Sequence, residues 1–480
     1  MFKISAVWRK RLIVIGSIVV VLAVILGITA WYKFFREEPE PQFANLEERF
    51  KYGSLGGEST AGLPYWLWVA MPRVCPDKLP GPGGYRSLGI PWEEGHEMPI
   101  GFTKKVIGFP RVSNNCASCH TAAYRTKENE SPIYVPSGPN HTADIQGYLR
   151  FITACAHDDR FNPDTLLAEI EQHTRLSWFD KLSYRYLIIP MTKKALLQRE
   201  GQLNWMNRTG VPNWGVGRDD PMNLTKYFMT NLPWDESVGS ADFPSTWNLG
   251  AREGKSLNWG GETPSPRSVI IDSALGLQAD PKTVEEHAQW IQKYLVARQP
   301  PKYPFPIDAG LAAKGEGIYR KECYSCHAVA AGTRTGTVID ISEVGTDRNR
   351  LDTWTQQAAD IANQTVAKLN INRPNMVKTN GYQAVPLDGL WLRAPYLHNG
   401  SVPNLREMLA PEGQRITLFW RGYDLYDPVN VGFETQSAEA KRIGFAFDTR
   451  LRGNGNQGHR YGTQLSAADK TALLEYLKTL

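Results

Sequence analysis

Two copies of one pattern constrain this chain more than anything else in it: Cys116-Ala117-Ser118-Cys119-His120 and Cys323-Tyr324-Ser325-Cys326-His327. Cys-x-x-Cys-His is the attachment signature of c-type haem. Its spacing lets two thiols reach the two vinyl groups of one porphyrin while the adjacent imidazole lies under the iron. One copy alone would also suit half of a zinc site or a redox dithiol. Two copies, far apart and each closed by a His at the same offset, suit neither. The pattern predicts two covalently bound haems, with His120 and His327 as proximal iron ligands.

Cys75 and Cys155 remain. Exported thiols tend to pair, so a Cys75–Cys155 disulfide is expected, against the alternative of two buried free thiols. Export is read from the N-terminus. Leu12 to Tyr32 is uncharged and dominated by Val, Ile and Leu. About 20 such residues cross the hydrocarbon core of a bilayer. Lys3, Arg9, Lys10 and Arg11 precede the run, which places the N-terminus in the cytoplasm and the rest of the chain in the periplasm. Trp31 and Tyr32 fit an interfacial belt. A cleaved signal peptide is the alternative, but the run is long for one, and Ile28-Thr29-Ala30 puts a bulky residue where a small one is preferred. Glu37-Glu38-Pro39-Glu40-Pro41 reads as a stiff, solvated spacer.

The 480 residues are too many for one compact core. Four segments follow: an anchor over 1–35, a loop-rich collar over 36–110, a first haem lobe over 111–300 and a second over 301–480. The Pro-rich piece Gln299 to Pro306 marks the lobe boundary. Apolar spacing turns helical over 143–151, 162–171, 179–202 (interrupted at Pro190) and 282–298. Another helix, over 310–322, runs into the second haem motif. A last one is capped by Ser466 with Asp469 three residues on. No strand pattern stands out, so the expected fold is mainly α with long loops. The net charge of +5 is spread thinly, and nothing calls for nucleic acid.

Function turns on what lies across each iron from its proximal His, since a six-coordinate haem moves electrons and an open one binds small oxidants. Seven other histidines are available: His96, His141, His157, His173, His287, His398 and His459. His96, His157, His173 and His287 sit in ordinary surface or helical surroundings. His459 stands just before the last helix, where small cytochrome c domains commonly draw their distal ligand.

The two motifs, the Ala394-Pro395-Tyr396-Leu397-His398-Asn399-Gly400 stretch and the His459-to-helix ending resemble the bacterial di-haem cytochrome c peroxidase superfamily over roughly residues 110–480. The resemblance implies a distal ligand at the His459 position, where the peroxidases carry Met. Bis-His ligation by His327 and His459 would lower that haem's potential relative to His/Met. It implies that His398 lies near the haems without binding iron. It also implies that Trp259, in Asn258-Trp259-Gly260-Gly261, stands between the haems; a plain core Trp is the alternative in a chain with 15 of them. The peroxidases place a distal His before this Trp, yet Asp235 to Ser240 has none. An open first haem and the long insertion before Trp259 resemble the rubber-oxygenase-like branch. His141 can still act there as a ligand or acid–base group, or be structural. The family's interlobe Ca²⁺ would match the Asp242 side chain and the carbonyls of Arg393 and Pro395, unless Arg393 pairs with Asp242 and replaces the ion. A homodimer is common in that superfamily.

Two function classes remain. One is a peroxidase-like enzyme that reduces H₂O₂, or activates O₂, at haem 1 with electrons relayed through haem 2 and Trp259. Its donor would be a small c-type cytochrome or the quinol chain, and Arg267, Asp272, His141 and Gln278 are the polar candidates near the oxidant. The other is a membrane-bound electron carrier, whose first haem would be closed by His141, Met98 or Met222. Two simple carrier domains need only about 200 residues, so the length favours a built pocket.

Overall fold

The structure, a computed structural model, describes residues 6–480; Lys3 lies outside them. About 46% of the chain is helical, in keeping with a mainly α reading. The apolar N-terminal run forms one helix, Ala6–Phe34, whose apolar side chains are exposed along its length and which meets the rest of the protein at its C-terminal end, through Lys33 and Phe34. Its segment Val7–Phe34 has 28 residues, about 40 Å at 1.5 Å per residue, and with the uncharged run within it is long and apolar enough to cross a membrane.

The expected free spacer is docked instead. Glu38 N–H bonds to the Val106 carbonyl at 3.0 Å, Lys105 pairs with Glu37, and Glu40 takes both Arg49 and the Ser54 N–H. Its partner is a β-hairpin, Phe102–Ile107 with Phe109–Asn114, that turns at Gly108. Gly108 has φ +71, and a Cβ there would lie 2.3 Å from the Phe34 Cα. Only glycine allows the helix end to approach so closely. This hairpin is one of several short strand pairs that the sequence reading did not anticipate. Pro110, the Lys104-Lys105 pair and a single turn residue blur its alternation.

The collar also holds a helix, Tyr65–Val74, whose Leu67, Trp68, Met71 and Val74 are buried at helical spacing. Pro64 and Pro72 hide that spacing from a reading that breaks helices at proline. Cys75 ends this helix and is disulfide-bonded to Cys155 in the helix Ile145–His157, with Cα atoms 5.7 Å apart. The bond staples one apolar core in which Trp68 stacks on Tyr85 at 4.3 Å.

The helices expected further on are present. Asn162 caps Pro163–Ile170; Trp178–Ser183 continues through a wide five-residue turn, Tyr184–Ile188, into Ile189–Leu203. Pro190 therefore opens a helical segment rather than breaking one. Val284–Ala297 packs against Pro266–Gly276, and Cys116 joins their core with Phe50, Leu249 and Ile270. Cys323 packs in a different core, made by Ala309–Glu322 against Ala467–Leu477. A Cβ on Gly315 would fall 2.0 Å from the Ala472 carbonyl oxygen, so glycine sets that helix contact. Ser466 caps the last helix through the Asp469 N–H, as expected. This second core also takes in Ala122, Tyr124, Val135 and Trp247, from before residue 300.

Candidate haem-attachment sites

Both Cys-x-x-Cys-His motifs fold into one tight turn. Asn115 caps the first: its side-chain oxygen accepts from Ala117 N–H at 2.9 Å, and its amide donates to the Gly53 carbonyl at 2.9 Å. His120 N–H then bonds to the Cys116 carbonyl at 3.0 Å, and His327 N–H to that of Cys323 at 3.0 Å. Each turn brings two sulfurs and one imidazole to the same side.

Each imidazole is aimed by a backbone carbonyl. His120 Nδ1 donates to Pro244 O at 2.9 Å, and His327 Nδ1 donates to Val385 O at 2.7 Å. A carbonyl can only accept, so the proton is on Nδ1 and the lone pair on Nε2, as iron ligation requires. Burial pushes His120 down to about 4 and His327 below its ordinary value, so both stay neutral. Cys116, Cys119 and His120 are each half-buried and keep accessible surface. The donor set therefore fits haem c at both motifs.

His459 faces His327, their ring centres 6.1 Å apart. An imidazole nitrogen lies about 1 Å from its ring centre and a metal–nitrogen bond is about 2 Å, so two trans imidazoles on one metal have centres about 6 Å apart. The pair fits one iron. His459 Nδ1 is buried without a protein partner, and burial together with the facing His327 pushes the ring down to about 3. Arg415, unread in the sequence, holds the loop by donating to the carbonyls of Gly458 at 2.9 Å and His459 at 3.2 Å.

A single residue joins the two sites, through its indole on one side and its main-chain carbonyl on the other. Trp259 Nε1–H donates to Asp242 O at 2.8 Å, two residues before the carbonyl that aims His120. Trp259 O accepts from Gln383 N–H at 2.8 Å, two residues before the carbonyl that aims His327. His398 lies alongside this route. Its carbonyl accepts from Asp242 N–H at 2.9 Å, and its Nε2 meets the Tyr382 hydroxyl at 2.9 Å. No sequence signal marks Pro244 or Val385, whose contribution is a carbonyl.

The Asp242 carboxylate is bound by Arg421, which also donates to Gly400 O at 3.2 Å. Arg393 is elsewhere, paired with Asp388 at 2.7 Å. A guanidinium thus occupies the side-chain ligand expected for Ca²⁺, and the ion does not fit there. Among the described residues, no group of three or more His, Cys, Asp or Glu can hold a metal.

Other expected residues are held by partners of their own. Arg267 pairs with Glu285 at 2.8 Å, Gln278 accepts from Arg199 at 2.6 Å, and Asp272 pairs with Arg373 at 2.6 Å. Met98 packs in the disulfide-stapled core, and Met222 against Trp354, not with Cys116. His141 stacks on Phe433 at 3.6 Å, and neither of its nitrogens has accessible surface or a protein partner. That packing leaves no room for an oxidant at its nitrogens. His157 and His173 bond to Glu200 and Glu169, His96 stacks on Tyr52, and His287 accepts from Trp290. Asp219, unread in the sequence, lies on the short strand Arg218–Asp219 that pairs with Ala241–Asp242, just before the Pro244 carbonyl that aims His120. Burial pushes this carboxyl up to about 7.

Residues 381–421 match the family described as RoxA-like, cytochrome c-like. The match supports the rubber-oxygenase-like cytochromes c, and with them a haem cytochrome oxidoreductase carrying covalently bound haem c. Over 468 residues the chain is 26% identical to the uncharacterized protein y4iJ of Sinorhizobium fredii (strain NBRC 101917 / NGR234), covering 77% of each. It is 27% identical over 284 residues to the uncharacterized protein y4iM of the same organism, covering 50% of this chain and 64% of that one.

Proposed function

We propose that the chain is a membrane-anchored, two-haem c-type oxidoreductase that uses a small oxidant, O₂ or H₂O₂, at the first site and relays electrons from the second. The observation that carries the reading is Trp259, bonded to both segments whose carbonyls aim the proximal histidines. Haem c, when bound, supplies a redox iron that passes electrons when six-coordinate and takes a small oxidant when its sixth position is open. His327 and His459 would hold the second haem from both sides. At the first, Cys116, Cys119 and His120 would hold the haem, while Met98 and Met222 are taken up in other cores and His141 stacks on Phe433. Asp219, raised toward neutrality by burial, can hold a proton beside that site.

Arg9, Lys10 and Arg11, in the first turns of that helix and ahead of its uncharged run, support a span of the cytoplasmic membrane with the body in the periplasm. A small c-type cytochrome or the quinol chain would be the electron donor. The test is EPR of the haem-loaded protein, fully oxidised and half-reduced, with optical spectra on adding O₂ or H₂O₂. One low-spin haem and one high-spin haem that responds to oxidant support the reading. Two low-spin haems in every state, with no response, leave an electron carrier.

A further inference from the structure

Large apolar side chains exposed singly are ordinary on a protein surface; a row of them continuous with a membrane span is not. Such a row runs along the segment Trp178–Met191. Trp178 is 73% exposed, Tyr186 68% and Met191 67%, with Leu182 and Leu187 exposed between them. Ser183, Tyr184, Ile188, Ile189 and Thr192 are buried on the opposite face. The wide turn Tyr184–Ile188 absorbs the extra residue between Tyr186 and Met191 and keeps the row on one side.

The row lies where the apolar helix ends. Lys33 Nζ bonds to Asp180 at 2.8 Å, and Arg111 donates to Phe34 O at 3.4 Å. The Phe34 ring meets Phe109 at 6.4 Å, and Phe109 meets Tyr184 at 6.5 Å. Trp31, Tyr32 and Phe35, around that end, are exposed as well. Between Trp178 and Arg199 the one acidic residue is Asp180, already taken by Lys33; Lys181 and Arg185 pair with Glu171 and Asp164, and Lys193 and Lys194 accompany the row. Aromatic side chains beside cations at the mouth of a span match the interfacial layer of a bilayer with anionic lipid.

We propose that the Trp178–Met191 face is a second membrane contact, lying in the headgroup layer of the bilayer that the N-terminal helix crosses. The inference rests on reading that helix as a span. It gives the body two points on the membrane in place of a single tether, with a fixed height and tilt.

The test uses the full-length, haem-loaded protein in nanodiscs of zwitterionic and anionic phospholipid. Thioethers and the disulfide consume all six native cysteines, so Tyr186→Cys, Met191→Cys, Val19→Cys and Arg320→Cys can each be spin-labelled singly. Haem absorbance confirms that each variant has folded. Power saturation with O₂ and with a water-soluble nickel chelate reads depth. The labels at 186 and 191 are expected at headgroup depth, the one at 19 deep in lipid and the one at 320 in water. A label at 186 as open to nickel as the one at 320, with 19 deep in lipid, overturns the second contact and leaves the span. A label at 19 in water overturns both. Spin–spin broadening at 186 that disappears on dilution with unlabelled protein makes the row a self-association face and also overturns the proposal.

Discussion

Asp242 and Arg421 form a buried ion pair at the point where three segments meet. The aspartate's main chain binds the Trp259 indole and the His398 carbonyl, and the arginine reaches on to Gly400. Leaving one charge of such a pair alone costs about 3–5 kcal/mol. Arg421→Gln or Asp242→Asn alone should lower stability by that order, and the double variant by less, in denaturant unfolding followed by haem absorbance. Since a guanidinium holds the position, chelators and added Ca²⁺ should leave the unfolding midpoint unchanged. A midpoint that drops on chelation contradicts this.

His459 is the one residue whose loss should change a spin state and little else. His459→Ala should convert the second haem from low-spin to high-spin in EPR. His459→Met should keep a six-coordinate haem and raise its potential in an optical redox titration, as Met ligation does. Unchanged spectra in both variants remove His459 from the iron.

Trp259→Phe keeps most of the ring but loses the N–H that binds Asp242. Both haem spectra should survive. Electron transfer between the haems, followed after rapid mixing of half-reduced protein with oxidant, should slow about tenfold. An unaltered rate would make Trp259 a packing residue.

Asp219 should destabilise the fold as the pH rises. Burial pushes its carboxyl up to about 7 in the folded chain, against an ordinary value of 3.8. Between those values the unfolded chain has released a proton that the folded chain keeps, so stability falls from about pH 4 to pH 7 and stays lower above. Asp219→Asn carries no such loss. Relative to the parent it should be near neutral at pH 4 and more stable by roughly 2–4 kcal/mol at pH 8. A difference that does not vary with pH refutes this.

The disulfide joins residues 80 apart in sequence. Cys75→Ala with Cys155→Ala should cost about 2–5 kcal/mol in thermal or denaturant unfolding and leave both haem spectra intact. A smaller loss would mean that the core around Trp68 holds without its staple.

What the sequence made legible was what covalent chemistry and periodicity write into it. The haem motifs, the apolar span, the paired cysteines and the Ser466 cap carry their meaning in residue type and spacing. The Tyr65–Val74 helix was hidden because its two prolines outweigh four well-spaced apolar residues. The hairpin at Gly108 was hidden because lysines and a proline interrupt its alternation. The links between the sites were less visible still. Pro244 and Val385 act through main-chain carbonyls, which no side chain advertises. Arg421 was missed because one arginine among many looks alike until the fold brings Asp242 to it; the expected partner, Arg393, found Asp388 instead.

The pairing of Cys75 with Cys155 has a consequence for biogenesis. Along the chain the order is Cys75, Cys116, Cys119, Cys155. An oxidant acting on thiols as they emerge from the translocon would join neighbours, Cys75 to Cys116 or Cys116 to Cys119. The native bridge skips two sulfurs that must stay reduced for thioether formation. If the chain is exported and carries haem at this motif, as proposed, its maturation is a contest of timing, in which those two sulfurs must meet porphyrin before they meet another thiol.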